Sequence, residues 1–369
     1  MVDFSKAFDR VDRKLLLSKL YNRGFRGKIG RILASYLESR NQCVRLGTTT
    51  SHLLQTDTGI PQGSVLSPFL FNLYTSDLHS WLPNTTLPQF VDDTSLLVKA
   101  PTLQALEVQT QLSLYTLANW AQWNALPINY TKTKYLIMLK KHPGERLHLR
   151  INNQQIAEAA QAKLLGLTIQ NTLRWDLHGG VIKTKLTQIL GFFYRYSALF
   201  PMHVRKTIYF ALFQSYLVYG LPVWGHLGIT QIKNITTMQK RMLMYLARGN
   251  QDWIQICKTH KILPFPQLII FVRATLAYKA LKGLTKDIVW NRVPNTAIHG
   301  YHTRQALDLR IPFVSLELYK QISDVALSKV WNILPEPIRV AQSLHIFKRT
   351  VKEWLLQDLC LENLYDLVT

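Results

Sequence analysis

Two adjacent carboxylates, Asp92 and Asp93, are the residues of this sequence best suited to chemistry. They stand between two short apolar runs, residues 87–91 and 95–98, a pattern that predicts a β-hairpin with both acids at its tip. Carboxylates held this close repel each other unless a cation lies between them, and oxygen ligands suit Mg²⁺ or Mn²⁺. Asp is also a common turn residue, so the dipeptide alone favours an ordinary polar turn.

The elements around this hairpin are predicted from apolar spacing and turn residues. A helix is expected from Arg13, ending at Gly24, and Ser67 is expected to cap a helix that follows a loop rich in glycine and proline. The remaining expected elements of this half are a helix at about 28–39, a hairpin turning at 47–50, helices over 69–82 and 103–123, a basic turn at 128–134, and strands at 135–139, 147–151 and 164–169.

Strand signals fade beyond about residue 178, where a domain boundary is predicted. Helices are expected there at about 183–199, 204–219, 231–248, 266–282, 316–333 and 344–359, with a looser segment at 285–312. A mixed first half followed by helices predicts an α+β fold with an all-helical second part.

The charge balance points to a polyanionic partner. The chain has 369 residues with 44 Lys and Arg against 22 Asp and Glu, a formal net charge of +22. Such a surplus favours nucleic acid or an anionic membrane surface. Residues 208–224 are the most apolar stretch, but polar residues, Gly and Pro interrupt them and they fall short of the roughly 20 apolar residues of a span. A buried helix is therefore predicted there.

The three cysteines, Cys43, Cys257 and Cys360, are too few and too scattered for a disulfide framework. Cys257 and His260 have the spacing of half a zinc site, but no second pair follows at a suitable distance. A buried free thiol and no zinc are predicted.

Three stretches, in order, resemble successive motifs of a reverse transcriptase. They are DFSKAFD at residues 3–9, GIPQGSVLSP at 59–68 and FVDD at 90–93. Their order and spacing resemble the non-LTR, LINE-type branch of retrotransposon polymerases, in its jockey-like form. The resemblance extends over nearly the whole chain, through residues 129–134, 164–178, 219–225, 239–241, 331–335 and 347–348.

The resemblance implies an RNA-directed DNA polymerase that extends a primer 3′-hydroxyl with deoxynucleoside triphosphates by two-metal nucleotidyl transfer. It implies Asp3 and Asp92 as ligands of Mg²⁺ (or Mn²⁺), with Asp93 supporting them as a third catalytic carboxylate. Asp9 and Asp12 lie near the first of these acids, and N-terminal capping of the following helix is the preferred interpretation for both.

The resemblance also implies substrate-binding residues. Phe8 would lie under the sugar and exclude a 2′-hydroxyl, although a core Phe fits equally. Gln62 and Gly63 would contact the incoming nucleotide and the nascent base pair. Lys132 or Lys134 would stabilise the leaving pyrophosphate, and a solvated basic turn is an equal alternative for either.

By the same resemblance, residues 1–178 form a reverse transcriptase palm, an antiparallel sheet with packed helices. Residues 179–284 form a helical thumb-like region, and residues 285–369 form a C-terminal helical region. The implied partners are an RNA template, a DNA primer or RNA–DNA hybrid, and dNTPs, with no membrane and no zinc, and a nuclear location by analogy.

Two departures from the family pattern leave alternatives open. Asp3 follows only Met1 and Val2, fewer than the about five or six residues of a typical strand, so an N-terminally truncated polymerase without fingers is expected. Val91 replaces the commoner Ala beside the acids. The alternatives are a catalytically inactive retrotransposon remnant that binds RNA or DNA, and a domesticated interaction protein whose helical half binds partners.

Overall fold

The computed structural model describes residues 1–138, 144, 146–248, 252–285, 290, 308–314 and 323–357. Its backbone divides into two compact units, Met1–Leu165 and Gly166–Thr369. The first mixes helices with small two-stranded sheets and the second is mainly helical, which is consistent with the predicted α+β class. No helix within these ranges is both long enough and apolar enough to cross a bilayer.

The first unit contains six helices and eleven short strands in its described part. The helices are α1 Ala7–Arg10, α2 Arg13–Asn22, α3 Gly27–Leu37, α4 Ser67–Thr75, α5 Leu78–Trp81 and α6 Leu103–Trp123. The strands are β1 Asn41–Gln42, β2 Arg45–Leu46, β3 Thr49–Thr50, β4 Leu54–Gln55, β5 Gln89–Phe90, β6 Asp93–Thr94, β7 Lys134–Tyr135, β8 Arg150–Ile151, β9 Gln154–Gln155, β10 Ala157–Glu158 and β11 Gln161–Leu164.

Strand pairing follows the turn chemistry. The pairs β1–β4, β2–β3, β5–β6 and β8–β9 are antiparallel, whereas β7 and β10 pair in parallel. The turn between β8 and β9 is Asn152-Asn153, and both residues have positive φ, as a two-residue hairpin turn of this type requires. The predicted hairpin at 42–55 is confirmed with a tighter turn, because Thr49 and Thr50 already belong to β3.

Side-chain caps set the starts of two helices in the first unit. Asp12 accepts a hydrogen bond from the backbone N–H of Leu15 at 3.0 Å, which confirms both the start of α2 and the capping role of this residue. Thr102 caps α6 in the same way, and α6 spans the predicted residues 103–123. The predicted cap at Ser67 is wrong, because its hydroxyl donates to the carbonyl of Pro61. The single helix predicted over 69–82 is divided into α4 and α5.

Two central helices close the core of the first unit. Phe71 and Tyr74 of α4 and Trp120 of α6 are fully buried. The Tyr74 hydroxyl donates to the carbonyl of Asn124 at 2.6 Å, so the polar atom of this ring is satisfied inside the core. Lys19 of α2 pairs with Asp77 at 2.8 Å beside the same residues. Together these contacts join α2 to the residues that follow α4 and α6.

The second unit begins at a break in a predicted strand. Leu165 and Gly166 have positive φ, so β11 ends at Leu164 and β12 begins at Leu167, and the single strand predicted over 164–169 is wrong. The described elements that follow are β12 Leu167–Gln170, α7 Asp176–Tyr196, α8 Met202–Ile208, a π-helical segment Tyr209–Gln214, α9 Ser215–Val218, α10 Leu221–Trp224, α11 Ile229–Ala247, α12 Trp253–His260, α13 Phe265–Leu281, α14 Ser323–Asn332, α15 Glu336–Arg339 and α16 Leu344–Gln357.

These elements confirm the helices predicted near 183–199, 204–219, 231–248 and 266–282, each with shifted ends. Helix α12 was not predicted. Cys360, Leu139 and most of the predicted loose segment 285–312 lie outside the described residues, as do the first turns of the helix predicted at 316–333.

Helix α13 lies at the centre of the second unit. It is buried on several faces, through Phe265, Ile269, Ile270 and Ala274, and it packs against α10, α11, α14 and α16. Trp224 stacks on Phe265 with ring centroids 6.0 Å apart. A helix apolar on most of its circumference is expected at such a position.

Residues 167–178 and residues 219–225, parts of two downstream motifs, pack against each other in this unit. The ring of His178 stands edge-on to that of Trp224 at 5.4 Å, and a Cβ at Gly220 would come within 3.0 Å of the Leu167 side chain. In the fold, these residues of the two segments contribute close packing. Nearby, Cys257 is a buried free thiol, as predicted, and burial raises its pKa to about 12.

Candidate active site

The carboxylate hairpin is present, with its tip one residue earlier than predicted. Phe90 pairs with Asp93 across the β5–β6 ladder, so the two tip residues are Val91 and Asp92, and Asp93 belongs to β6. Asp92 and Asp93 are both exposed, whereas the next residue, Thr94, is buried. Val91 has a φ of 56°, in the left-handed region that β-branched residues rarely adopt.

Asp3 lies on an extended segment next to this hairpin. Val2 bridges Thr94 of β6 in antiparallel fashion, and its N–H donates to the Thr94 carbonyl at 2.8 Å. On the other side, Phe4 bridges Ile128. Asp3 is therefore placed by single bridges on both sides, and this segment has no regular strand of its own.

The basic turn at 128–134 holds the backbone of Asp3. The N–H of Asn129 donates to the Asp3 carbonyl at 2.8 Å. The Asp3 N–H donates to the hydroxyl of Thr133 at 3.3 Å, and Thr133 is buried. Lys132 and Lys134 are both exposed. This motif therefore contributes a buried Thr to the placement of Asp3, which the sequence interpretation missed because it followed the charged residues.

The three carboxylates interact electrostatically. Partial burial raises the pKa of Asp93, and the negative charges of Asp92 and Asp3 raise this pKa further. Mutual repulsion of this kind is what a divalent cation relieves, and carboxylate oxygens are the donors that Mg²⁺ prefers. In the described residues, however, no group of three or more His, Cys, Asp or Glu side chains is arranged so that it could hold a metal ion. The three carboxylates suit such an ion in donor type and charge, but they are not arranged as a ligand set in this structure.

Phe8 is fixed between helix α4 and the loop at 59–68. Its ring stacks on Phe71 with centroids 5.1 Å apart and planes at 23°. Its carbonyl accepts the N–H of Ile60 at 2.9 Å. The ring is half-buried, so it packs against the core and retains an accessible part.

Gln62 and Gly63 lie on an exposed part of the same loop. The amide of Gln62 donates to Asp9 Oδ1 at 2.8 Å. The capping role preferred for Asp9 is wrong, because the N-cap of the following helix α2 is Asp12. Asp9 lies inside α1, and its carboxylate receives this contact across 53 residues of sequence. Gly63 has a φ of 80°, and a Cβ there would meet no atom within 4 Å, so its backbone conformation is what favours glycine.

Gly59, which belongs to the sequence motif, and Arg13, which sequence reasoning missed, hold this loop in place. A Cβ on Gly59 would lie 2.9 Å from the Cα and the carbonyl oxygen of Asp9, so this glycine permits a close backbone approach. The guanidinium of Arg13 donates to the carbonyls of Gly59 and Thr58, each at 2.8 Å. Its pKa is lowered by burial and by Arg40, and Asp57 opposes that change. The Gly-Pro motif was visible in the sequence, but nothing local marked Arg13.

A cleft of about 800 Å³ opens beside Gln62. Its wall carries more cationic than anionic side chains, which suits an anionic ligand. The charged residues that line it are Lys6, Asp9, Arg10, Arg13, Arg40 and Asp57.

The first part of the chain matches a known protein family. Residues 1–169 match the family model described as reverse transcriptase (RNA-dependent DNA polymerase). This match covers the hairpin, the Asp3 segment, the 59–68 loop and the basic turn.

Two curated relatives of Drosophila melanogaster extend the similarity downstream. "Probable RNA-directed DNA polymerase from transposon BS" is 27% identical over 265 residues, which cover 67% of this chain and 29% of the relative. "RNA-directed DNA polymerase from mobile element jockey" is 27% identical over 258 residues, which cover 67% of this chain and 28% of the relative. This chain thus spans less than a third of each relative's length. The resemblance predicted from the motifs is confirmed: residues 1–169 are similar to the reverse transcriptase family, and about two thirds of the chain is similar to polymerases of non-LTR retrotransposons.

Proposed function

We propose that this chain acts as the RNA-directed DNA polymerase domain of a non-LTR retrotransposon. The observation that carries the proposal is the shared electrostatic environment of Asp3, Asp92 and Asp93, which come from two chain segments joined through Val2 and Thr94. Nucleotidyl transfer requires carboxylates from separate segments near one another. The substrates would be an RNA template, a primer 3′-hydroxyl and dNTPs.

In this proposal Asp3 and Asp92 would hold Mg²⁺ or Mn²⁺, with Asp93 beside them. A bound divalent cation would offset their repulsion and stabilise charge on phosphate oxygens. The hydrogen bonds from Asn129 and to Thr133 fix the Asp3 backbone and so limit how far its carboxylate moves. We assign no role to Lys132 or Lys134 beyond a proposed attraction for the leaving pyrophosphate.

Asp9 and Gln62, which line the 800 Å³ cleft, would orient the nucleotide together with Phe8 and Gly63. Phe8, held by Phe71, would form the surface under the sugar and disfavour a 2′-hydroxyl. Gln62 and Gly63 would contact the nucleotide and the nascent base pair. Asp9 would position Gln62 through the 2.8 Å hydrogen bond, because an accepted amide proton restricts the rotamers of the glutamine.

We also propose the division of labour along the chain. Residues 1–178 would act as the palm, residues 179–284 as a thumb-like helical region, and residues 285–369 as a C-terminal helical region. The mixed first unit and the helical second unit are compatible with this assignment.

Primer extension on an RNA template with Mg²⁺ tests the proposal. Asp92→Asn should abolish extension, because it removes one charge from the shared site while keeping the side-chain shape. Glu38→Gln is the matched control, since Glu38 is exposed in the same unit but is not one of the three carboxylates; it should extend normally. Extension that survives in Asp92→Asn refutes the site assignment.

A second candidate is a nucleic-acid-binding protein without polymerase activity. The observation that favours it is that the described carboxylates are not arranged as a metal ligand set. It predicts salt-sensitive binding of an RNA–DNA hybrid without extension, and equal binding by Asp92→Asn and the wild type. Extension by the wild type would eliminate this candidate.

A further inference from the structure

A basic cleft lies in the helical unit, formed by residues from the end of α12 and from α16. Its volume is about 350 Å³. Four cationic side chains line it against one carboxylate, that of Glu353. The cationic residues are Lys258, Lys261, Arg349 and Lys352, and Leu356 adds an apolar contact.

The positive charges in and beside this cleft repel one another. Lys352 is half-buried, and its pKa is lowered by burial and then by the charges of Lys261 and Lys206. The pKa of the neighbouring His260 is also lowered, by burial and then by Lys206 and Arg205. Like charges gathered this closely destabilise a fold, and an anionic ligand removes that penalty.

Helix α12 explains only part of this cluster. Lys258 and Lys261 lie at its C-terminal end, where a cation interacts favourably with the helix dipole. Arg349 and Lys352 lie on α16, so the dipole of α12 does not account for their positions.

Lys261 ends α12 in a left-handed backbone conformation. Its φ is 52°, at a helix-ending position where Gly or Asn is the usual residue. A substitution of Lys261 by glycine is therefore expected to relieve backbone strain as well as to remove a cation from the cleft.

We propose that this cleft binds a phosphate group of a nucleic-acid backbone, at a site separate from the three carboxylates. Several lysines around a concave surface bind phosphates as point charges, without sequence preference. A membrane surface fits less well, because membrane binding uses exposed large apolar side chains beside the cations, and Leu356 is only 9% exposed. The inference rests on the proposed function in one respect: the nucleic-acid strand bound in the cleft would belong to the template or the primer of the proposed polymerase.

Hybrid binding by the full chain tests the cleft. A labelled short RNA–DNA hybrid of random sequence would be titrated in EDTA without dNTPs and followed by fluorescence anisotropy. Lys258→Gln/Lys352→Gln should weaken binding about tenfold at about 0.1 M salt and reduce the slope of log K against log salt by about 0.7–0.9 for each lost contact. Lys14→Gln/Lys28→Gln removes the same charge from exposed lysines of the other unit. Equal affinity of the two double variants overturns the proposal.

Lys261→Gly separates a binding loss from a folding loss. It removes a cation and also relieves the positive-φ strain, so it should raise the thermal unfolding midpoint and weaken hybrid binding about threefold or more. Unchanged affinity in this variant counts against the cleft. Displacement of the hybrid by inorganic pyrophosphate at equal phosphate concentration, or a cleft-dependent preference for phosphatidylserine vesicles over the hybrid, would overturn the backbone assignment.

Primer extension keeps this proposal separate from the polymerase proposal. If the wild type fails to extend a primer but the cleft variants still lose hybrid affinity, the polymerase proposal fails and the cleft stands. If the wild type extends a primer and the cleft variants bind like the wild type, the cleft proposal fails and the polymerase proposal stands.

Discussion

At the scale of single residues, Val91 at the tip of the carboxylate hairpin has a strained backbone conformation. Val91 is the first of two tip residues and has a φ of 56°. A two-residue turn with positive φ at its first central position usually has Gly there. The sequence pattern placed both acids at the tip because they stand between two apolar runs. It gave no sign of a β-branched residue in a left-handed conformation.

Val91→Gly should therefore stabilise the protein. Relief of the left-handed strain slightly outweighs the greater chain entropy of glycine together with the lost packing of the half-buried Val91 side chain, so the free energy of unfolding should rise by up to about 0.5 kcal/mol. Urea denaturation would measure the change. Val44→Gly is the control, because Val44 is exposed and has no positive φ, and this variant should lose stability. A loss in both variants would show that Val91 is unstrained in solution.

At the scale of elements, the predictable parts are those with local signals. Helix α6 and the start of α2 at Asp12 were predicted because each rests on residues at most four apart along the chain. Helix α12 was missed because it is short and its cap at Asp252 was not recognised. Two sets of hydrogen bonds join distant segments of the chain: that between Gln62 and Asp9, and those from Arg13 to the carbonyls at 58–59. No local periodicity encodes such contacts.

The loop at 59–68 provides a prediction at this scale, because glycine is required at its two glycine positions for different reasons. Gly63→Ala should cost about 1 kcal/mol, from the strain of its positive φ alone. Gly59→Ala should cost about 3 kcal/mol, because its Cβ would also collide with the backbone of Asp9 at 2.9 Å. Chemical denaturation of both variants would measure the difference. Equal losses would mean that the loop does not approach Asp9 this closely.

At the scale of the whole molecule, the helical unit contains histidines that folding keeps neutral. Burial is the first cause that lowers the pKa values of His178, His226 and His260. For His226, only 8% exposed, the pKa falls to about 2, with Arg273 and Lys329 adding to the effect of burial. Nothing local in the sequence distinguished His226 from a surface histidine.

Global stability should therefore fall as the pH is lowered from 7 to 5. The unfolded chain binds protons on these histidines near pH 6.5 and the folded chain does not, so the stabilisation is complete above that pH and lost below it. His226 alone contributes about 2 kcal/mol to the difference between pH 7 and pH 5. Denaturation at both pH values would show it, and His226→Gln should have the shallower dependence. Identical slopes for the two proteins would mean that His226 is accessible to protons in the native state.

The π-helical segment Tyr209–Gln214 has a consequence for the periodicity of the chain. The buried residues of this stretch are Arg205, Tyr209, Phe213 and Leu217, one every four positions. In a regular α-helix each step of four residues over-rotates by about 40°, and the stripe would drift about a third of a circumference over three steps. The wider turns rotate less per residue and cancel this drift. A strict four-residue repeat is thus typical of a helix with such wide turns. Deleting one residue there should restore an ordinary α-helix in which Leu217 lies only about 20° around the axis from Arg205, still on the buried face.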